Sequence, residues 1–155
     1  MGLCGRSAMA EAMTTEPVVK EKRIAASPET VFAFFTEPDK LTRWLAEAAT
    51  LDPRPGGTCR QTHRGDDGEL YSMRGEFVEV SPPSRVVFTW GFEEESVGVP
   101  PGASTVVVTL TADGDGTLVR LVHRDLPPGE VDTHSEGWTK MLERLSRTLA
   151  TGGAA

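Results

Sequence analysis

Residues 48–125 are a series of β-rich runs separated by short turn sequences, and no other feature constrains the fold as strongly. Turn-forming residues recur at RPGG, RGDDGE, SPPS, VPPG and DGDG. Strands joined by such short turns pair with their neighbours in the chain, so the pattern predicts an antiparallel meander. The clearest hairpin joins STVVVTLTA to TLVRLVHRDL across residues 113–116. In it, Val106 and Val108 share one strand, and Leu121 and His123 share the next.

Helices are predicted on both sides of the meander. A first strand at Val18–Ala26 leads into a short helix, with Ser27 as N-cap and Pro28 at the first helical position. A second short helix, PDKLTRWL, follows the break at Pro38. Residues 129–153 predict one long amphipathic helix. Its apolar stripe consists of Val131, Trp138, Met141, Leu142, Leu145 and Leu149.

One predicted strand carries large rings on a single face. Period-2 alternation directs its apolar side chains to one side, namely those of Val86, Phe88, Trp90 and Phe92. A sheet must cover its apolar face, and the C-terminal helix carries the one long stripe available to do so. Such rings either fill an ordinary core, which is their usual role, or wall a pocket. The pattern leaves both alternatives open.

The preceding run, YSMRGEFVEV, does not keep one alternation. Met73 and Phe77 occupy odd-numbered positions, whereas Val78 and Val80 occupy even-numbered ones, so the two pairs would point to opposite faces. A β-bulge near Gly75 would explain the change, because one extra residue switches the face of all that follow. The inner face of this strand therefore stays unassigned.

Charge and cysteine content limit the location and the partners. The net charge of -7 argues against nucleic acid or an anionic membrane as partner, since both require a positive surface. Cys4 and Cys59 form neither a disulfide framework nor zinc-ligand spacing, which favours a reducing cytoplasm. No segment is apolar enough to span a bilayer. At 155 residues, we expect a flexible leader (1–17), one domain (18–150) and a flexible tail (151–155).

The three histidines are the candidate polar groups. His123 alternates with Leu121 and should face inward, where it would either contact a ligand, move a proton or be a hydrogen-bonded core residue, the commonest role. His134 precedes Trp138 by four residues, so it either lines an entrance or is solvated. His63, beside the RGDDGE turn, is expected to be exposed. We predict no metal site, because the sequence offers no short-spaced ligand pair.

Four segments carry a family resemblance: SPETVFAFFTEPDKLTRWL, GEFVEVSPPSRVVFTW, TLVRLVHRDLP and GWTKMLERLSRTL. Together they span residues 27–149. The chain resembles the activator of heat-shock ATPase homologue-like (AHSA-type) family of the START-like, or SRPBCC, superfamily. The resemblance implies an α+β helix-grip fold: a curved antiparallel sheet of six or seven strands, two short helices after the first strand, and a long C-terminal helix across the sheet.

In relatives with this fold, a cavity between helix and sheet binds hydrophobic small molecules. The resemblance therefore implies non-catalytic binding of a small hydrophobic ligand, lipid or polyketide-like, by a monomer or homodimer without a cofactor. Two alternatives remain: a co-chaperone-like module that contacts a heat-shock chaperone, and a cyclase or hydrolase that uses His123 as its catalytic residue. The ligand-binding residues implied are Phe34, Trp44, Phe88, Trp90, Val106, Val108, Leu121, His123, His134, Trp138, Met141, Leu142 and Leu145.

Overall fold

Seven strands form one antiparallel sheet in the computed structural model, which describes residues 16–150. The strands are β1 (Val18–Ile24), β2 (Ala48–Leu51), β3 (Thr58–Arg64), β4 (Leu70–Ser81), β5 (Arg85–Trp90), β6 (Ser104–Asp113) and β7 (Gly116–Arg124). Their spatial order is β1-β7-β6-β5-β4-β3-β2. Strands β2 to β7 thus follow one another as the predicted meander, and β1 closes onto β7. The predicted leader and tail lie outside the described residues, apart from Glu16 and Pro17.

Three α-helices accompany the sheet: α1 (Pro28–Thr36), α2 (Pro38–Leu41) and α3 (Val131–Thr148). The predicted cap of α1 is confirmed, because the Ser27 hydroxyl accepts a hydrogen bond from the Thr30 N–H at 3.2 Å. Short 3₁₀ turns occupy Glu95–Val97 and Pro128–Glu130. The order of elements confirms the α+β helix-grip prediction.

Helix α2 is shorter than predicted, but the chain after it is anchored. The α-helix ends at Leu41, and the residues up to Leu45 form turns. The indole N–H of Trp44 donates to the carbonyl of Phe34 at 2.9 Å, and its ring meets Phe35 edge-on at 5.0 Å. This anchor fixes Leu45 beside the C-terminal helix.

Helix α3 covers the concave, apolar face of the sheet. Trp138, Leu142, Leu145 and Leu149 are buried along the predicted stripe, and Val131 and Met141 are partly buried at its edge. From the sheet, the four predicted inward residues of the β5 run are all buried: Val86, Phe88, Trp90 and Phe92. Helix and sheet therefore share one continuous core.

The parity change in β4 comes from a bulge that lies further along than predicted. Phe77 pairs with Phe88, but Glu79 pairs with Val87, so the register shifts at Val78 and not near Gly75. Val78 is 53% exposed as a result. Beyond the bulge, Val80 pairs with inward-facing Val86 and packs against the core.

Candidate functional site

A cavity of about 150 Å³ lies between the N-terminal half of α3 and the inner face of the sheet. Its lining is mainly aromatic and apolar, and consists of Leu45, His63, Trp90, Thr133, His134, Gly137, Trp138 and Met141. Gly137 contributes to this space, because a Cβ added there would have no atom within 4 Å. The cavity therefore exists where the stripe of α3 lacks a side chain.

Trp90 is the centre of the aromatic wall. Its ring lies 5.3 Å from Trp138, 5.6 Å from Phe92, 5.3 Å from His63 and 5.5 Å from His123, measured between centroids. The contacts with Phe92, His63 and His123 are edge-to-face, the arrangement that aromatic quadrupoles favour. An aromatic surface centred on Trp90 therefore faces the cavity.

His123 lies behind this wall and is completely buried. Its Nε2–H donates to the Ser104 hydroxyl at 2.8 Å, and that hydroxyl donates in turn to the Trp90 carbonyl at 2.8 Å. The Trp138 indole N–H donates to His123 Nδ1 at 2.9 Å. Burial lowers the pKa of His123 to about 3, so the ring is neutral at neutral pH. Both ring nitrogens are therefore occupied by the protein.

His134 stands at the edge of the cavity, with 10% of its side chain exposed. Its Nδ1–H donates to the Glu130 carbonyl at 2.9 Å, and its Nε2 accepts from the Trp90 indole at 3.3 Å. Burial lowers the pKa of His134, although the Glu130 carbonyl and carboxylate partly oppose that shift. His134 thereby aligns Trp90 and presents a neutral ring to the cavity.

The prediction that His63 is exposed is wrong. Its ring is half-buried against Trp90 and Phe92, and burial lowers its pKa to about 4. The physical reason is alternation along β3, because His63 shares the inner face with the buried residues Cys59 and Gln61. Its Nε2–H donates to the Gln61 side-chain oxygen at 2.8 Å. Within residues 16–150, His63 Nδ1 has no hydrogen-bond partner and is an available acceptor.

The implied ligand-binding residues fall into three places. Trp90, His134, Trp138 and Met141 line the cavity. Trp44 lines the adjoining cleft. The others are buried in the core or behind the wall: Phe34, Phe88, Val106, Val108, Leu121, His123, Leu142 and Leu145.

Sequence reasoning missed four lining residues, namely Leu45, His63, Thr133 and Gly137. Two had a readable signal. The period-2 pattern of β3 places His63 inward, and a glycine inside a long amphipathic helix marks a position where space or close approach is needed. The position of Leu45 in the cavity lining depends on the hydrogen bond from Trp44 to Phe34, and no local sequence pattern predicts that bond.

Two further features bear on function. Within residues 16–150, no group of three or more His, Cys, Asp or Glu side chains is placed to hold a metal ion. Over the same residues, no helix has both the length and the apolar character needed to cross a bilayer.

Comparison with solved structures gives the same fold repeatedly. The AHSA1 protein of Silicibacter pomeroyi is 30% identical, with a TM-score of 0.74 over 88% of this chain and 99% of that one. A protein of Mesorhizobium loti shares the fold at 24% identity, with a TM-score of 0.75 over 88% and 98% of the two chains. DynU16, a protein in the dynemicin biosynthetic locus, is 26% identical, with a TM-score of 0.73 over 89% of this chain and 48% of its own.

Comparison with curated proteins gave no match. The family model described as activator of Hsp90 ATPase homolog 1-like protein matches residues 25–150, which include every helix and all the strands but β1. The chain therefore belongs to the activator of Hsp90 ATPase homolog 1-like family of the SRPBCC superfamily.

Proposed function

We propose that this protein binds a small hydrophobic ligand, lipid or polyketide-like, by taking a ring-sized apolar group into the cavity beneath α3. The observation that carries the proposal is the aromatic wall of Trp90 and Trp138, which faces space that Gly137 leaves open. Small-molecule sites are concave and mostly apolar, with few polar groups that fix orientation. The lining of this cavity is likewise mainly apolar and aromatic, with His63, His134 and Thr133 as its polar residues.

The cavity volume limits what enters it. A dry apolar cavity of about 150 Å³ is large enough to bind benzene. The cavity here has the same volume, so it holds one ring or a short branched chain and not a whole lipid. The rest of a larger ligand must extend past Met141 or Thr133 at the margin.

His63 provides a polar group that can orient the ligand. The two nitrogens of His134 are engaged by Glu130 and Trp90, whereas His63 Nδ1 is an unused acceptor. A ligand hydroxyl placed beside His63 would donate to it. The preferred ligand is therefore apolar with one hydroxyl near its buried end.

The similarity to DynU16 supports a ligand from biosynthesis. That protein belongs to the dynemicin biosynthetic locus and is 26% identical over 89% of this chain. A binding protein for a ring-containing biosynthetic product is consistent with this relationship.

We do not extend the proposal to catalysis or to a chaperone. The enzyme alternative requires His123 to exchange a proton with a ligand, but both of its nitrogens are hydrogen-bonded within the protein. The chaperone alternative would be favoured by a contiguous exposed apolar patch. The large apolar side chains that are exposed among residues 16–150 are Val19, Leu70 and Val78, on separate parts of the sheet.

The test is a titration of the full-length protein with 3-phenyl-1-propanol, a neutral compound with one ring and one hydroxyl. Nitrogen–proton correlation spectra report the three indole N–H groups separately. We expect the Trp90 and Trp138 signals to shift in a saturable way, because both rings line the cavity. The Trp44 signal should stay in place, since its N–H is hydrogen-bonded to Phe34 and lies outside the cavity.

Gly137→Leu provides the variant that separates binding from folding. The leucine side chain would fill the cavity without meeting existing atoms at its Cβ, so we expect saturable shifts to disappear while the spectrum stays folded. Gly137→Ala is the matched control, because it adds one methyl group and should retain binding. Equal binding by the wild type and Gly137→Leu, or no binding by the wild type, would refute the proposal. Native mass spectrometry of the purified protein would then identify any ligand retained from the cell.

A further inference from the structure

A second cleft, of about 250 Å³, adjoins the aromatic cavity. The two share Leu45, His63 and Met141, which form the junction between them. The remaining lining of the cleft is mainly polar and charged, with Trp44 and Ala46 as the exceptions: Thr42, Arg43, Trp44, Ala46, Glu47, Arg64, Asp66, Lys140 and Arg144. Together the two volumes fall within the range of about 300–1,000 Å³ that is usual for small-molecule sites, whereas the cavity alone does not.

The charges in the cleft do not cancel. Arg64 is engaged, because it forms an ion pair with Glu47 at 3.3 Å and donates to the Gly68 carbonyl at 2.8 Å. Asp66 is the remaining carboxylate of the lining. Against it stand three cationic side chains that form no ion pair with any residue of the described chain: Arg43, Lys140 and Arg144.

The weak contacts of these cations leave them available. The Arg43 guanidinium lies 5.2 Å from the centre of the Phe34 ring. Arg144 donates one long hydrogen bond, of 3.4 Å, to the Trp44 carbonyl. The ammonium group of Lys140 has no hydrogen bond to any residue within 16–150. All three side chains are exposed and can turn toward an anion in the cleft.

This availability is unusual for this chain, in which acidic residues outnumber basic ones by 23 to 16. Eight other arginines each form an ion pair with a carboxylate: Arg23, Arg54, Arg60, Arg64, Arg74, Arg85, Arg120 and Arg124. Arg43 and Arg144 depart from this pattern, and together with Lys140 they lie beside the open side of the cavity. Lys20 and Lys22, which also form no ion pair within residues 16–150, lie on β1. Because acidic residues are in excess, carboxylate partners for the three cations of the cleft would be easy to provide on this surface. Their absence is consistent with a cleft that is open to an anionic ligand.

The periodicity of α3 explains why cavity and cleft meet. Thr133, Gly137 and Met141 follow one another at intervals of four and line the cavity. Lys140 and Arg144 are four apart on the adjacent flank and line the cleft. A ligand whose ring lies against Gly137 therefore needs to extend by only about one helical turn, about 5.4 Å, to reach these cations.

We propose that the ligand is amphipathic: its ring occupies the aromatic cavity, and an anionic group, carboxylate or phosphate, binds Arg43, Lys140 and Arg144 in the adjoining cleft. This inference rests on the proposed function, because it assigns the second half of the same ligand. Guanidinium and ammonium groups form charge-assisted hydrogen bonds with both kinds of anion.

The test compares probes that share one ring system. 3-Phenyl-1-propanol is neutral, 3-phenylpropanoate carries a carboxylate, and 3-phenylpropyl phosphate carries a phosphate. Each is titrated into the full-length protein, and dissociation constants come from the Trp90 and Trp138 indole signals. We expect an anionic probe to bind about tenfold more tightly than the alcohol at low salt, because charged hydrogen bonds contribute more than neutral ones. The tighter of the two anionic probes identifies the anion.

The double variant Lys140→Gln/Arg144→Gln tests the assignment of the cleft. We expect the ratio of dissociation constants for alcohol and anion to fall severalfold toward one in this variant, because only Arg43 of the three cations remains. Lys20→Gln/Lys22→Gln is the matched control, because it also removes two positive charges and both lysines lie on edge strand β1, across the sheet from β3, and line neither volume. It should keep the wild-type ratio. The same ratio in the wild type and the Lys140→Gln/Arg144→Gln variant would overturn the inference.

The two proposals fail in different ways. If the alcohol binds and neither anion binds more tightly, the cavity function stands and the anion site is wrong. If no probe shifts Trp90 or Trp138, the function itself is wrong and the inference falls with it. If an anion binds more tightly but shifts only Trp44, it occupies the cleft without the cavity, which also overturns the amphipathic ligand.

Discussion

Mild acid should destabilise this protein more strongly than its net charge suggests, because one buried and two partly buried histidines are held neutral. The pKa of His123 is lowered to about 3 and that of His63 to about 4, in both cases chiefly by burial. The pKa of His134 is lowered for the same main reason. Each imidazolium would also repel the others, since the His123 and His134 rings lie 5.3 Å apart.

The sign follows from proton binding. An unfolded histidine titrates near pH 6.5, whereas the folded ring resists protonation, so the unfolded state takes up protons first. The stabilising contribution is therefore complete above about pH 6.5 and is lost as the pH falls toward the folded values of 3 to 4. At pH 5, His123 lowers the free energy of unfolding by about 2 kcal/mol. The half-buried His63 lowers it by at most about the same amount. The total free energy of unfolding of a native protein is about 5–15 kcal/mol, so this loss is a large part of it.

Urea unfolding followed by tryptophan fluorescence at pH 7.5, 6.5, 5.8 and 5.0 measures this loss. The carboxyl groups of Asp67 and Glu79 have lowered pKa values and so titrate below this window. His123→Gln is the informative variant, because it removes one titrating group and keeps a polar side chain. We expect a lower free energy of unfolding at pH 7.5 but a shallower pH slope. A wild-type free energy that stays constant from pH 7.5 to 5.0, or an unchanged slope in the variant, would refute the reasoning.

Three further predictions concern single side chains. Ser104→Ala should lower the free energy of unfolding by about 1–3 kcal/mol in urea titrations, because it leaves a buried imidazole N–H and a carbonyl unpaired; an unchanged value would contradict this network. Gly137→Ala should raise the melting temperature by about 2–4 °C through helix propensity, and a decrease in calorimetry would mean the site is not open. In a Cys4→Ser background, Cys59 should resist an aromatic disulfide reagent until urea unfolds the chain, because burial raises its pKa to about 12; rapid native reaction would disagree.

Alternation and turn chemistry were sufficient to predict the sheet, and the helix stripe predicted its cover. Trp90 and Trp138 were assigned correctly to facing surfaces because each belongs to a long, regular pattern. The bulge in β4 was misplaced for a physical reason. Val78 is apolar yet exposed, and alternation cannot recognise an apolar residue that the backbone turns outward.

The boundary between core and cavity could not be predicted, because it depends on where atoms are missing. Phe88 and Trp90 have the same parity on one strand, but only Trp90 lines the cavity. The difference arises on the opposite helix, where Gly137 leaves space. The exposure of His63 is predicted wrongly because the turn that follows it is exposed. The side chain of His63 itself points to the inner face of the sheet and contacts Trp90. The cytoplasmic location, the oligomeric state and the division into leader, domain and tail remain predictions.

The hydrogen bond from Trp138 to His123 also selects one position for the helix among several that apolar contacts would allow. Leu142 and Leu145 could pack against many smooth positions on the sheet, since burial of apolar surface has no direction. A shift of α3 by one turn, about 5.4 Å, would instead leave the Trp138 indole N–H and His123 Nδ1 in the core without hydrogen-bond partners. Each unpaired group would cost about 1–3 kcal/mol. The buried polar pair thus fixes the position of α3 along the sheet, so the space beside Gly137 keeps its place relative to Trp90.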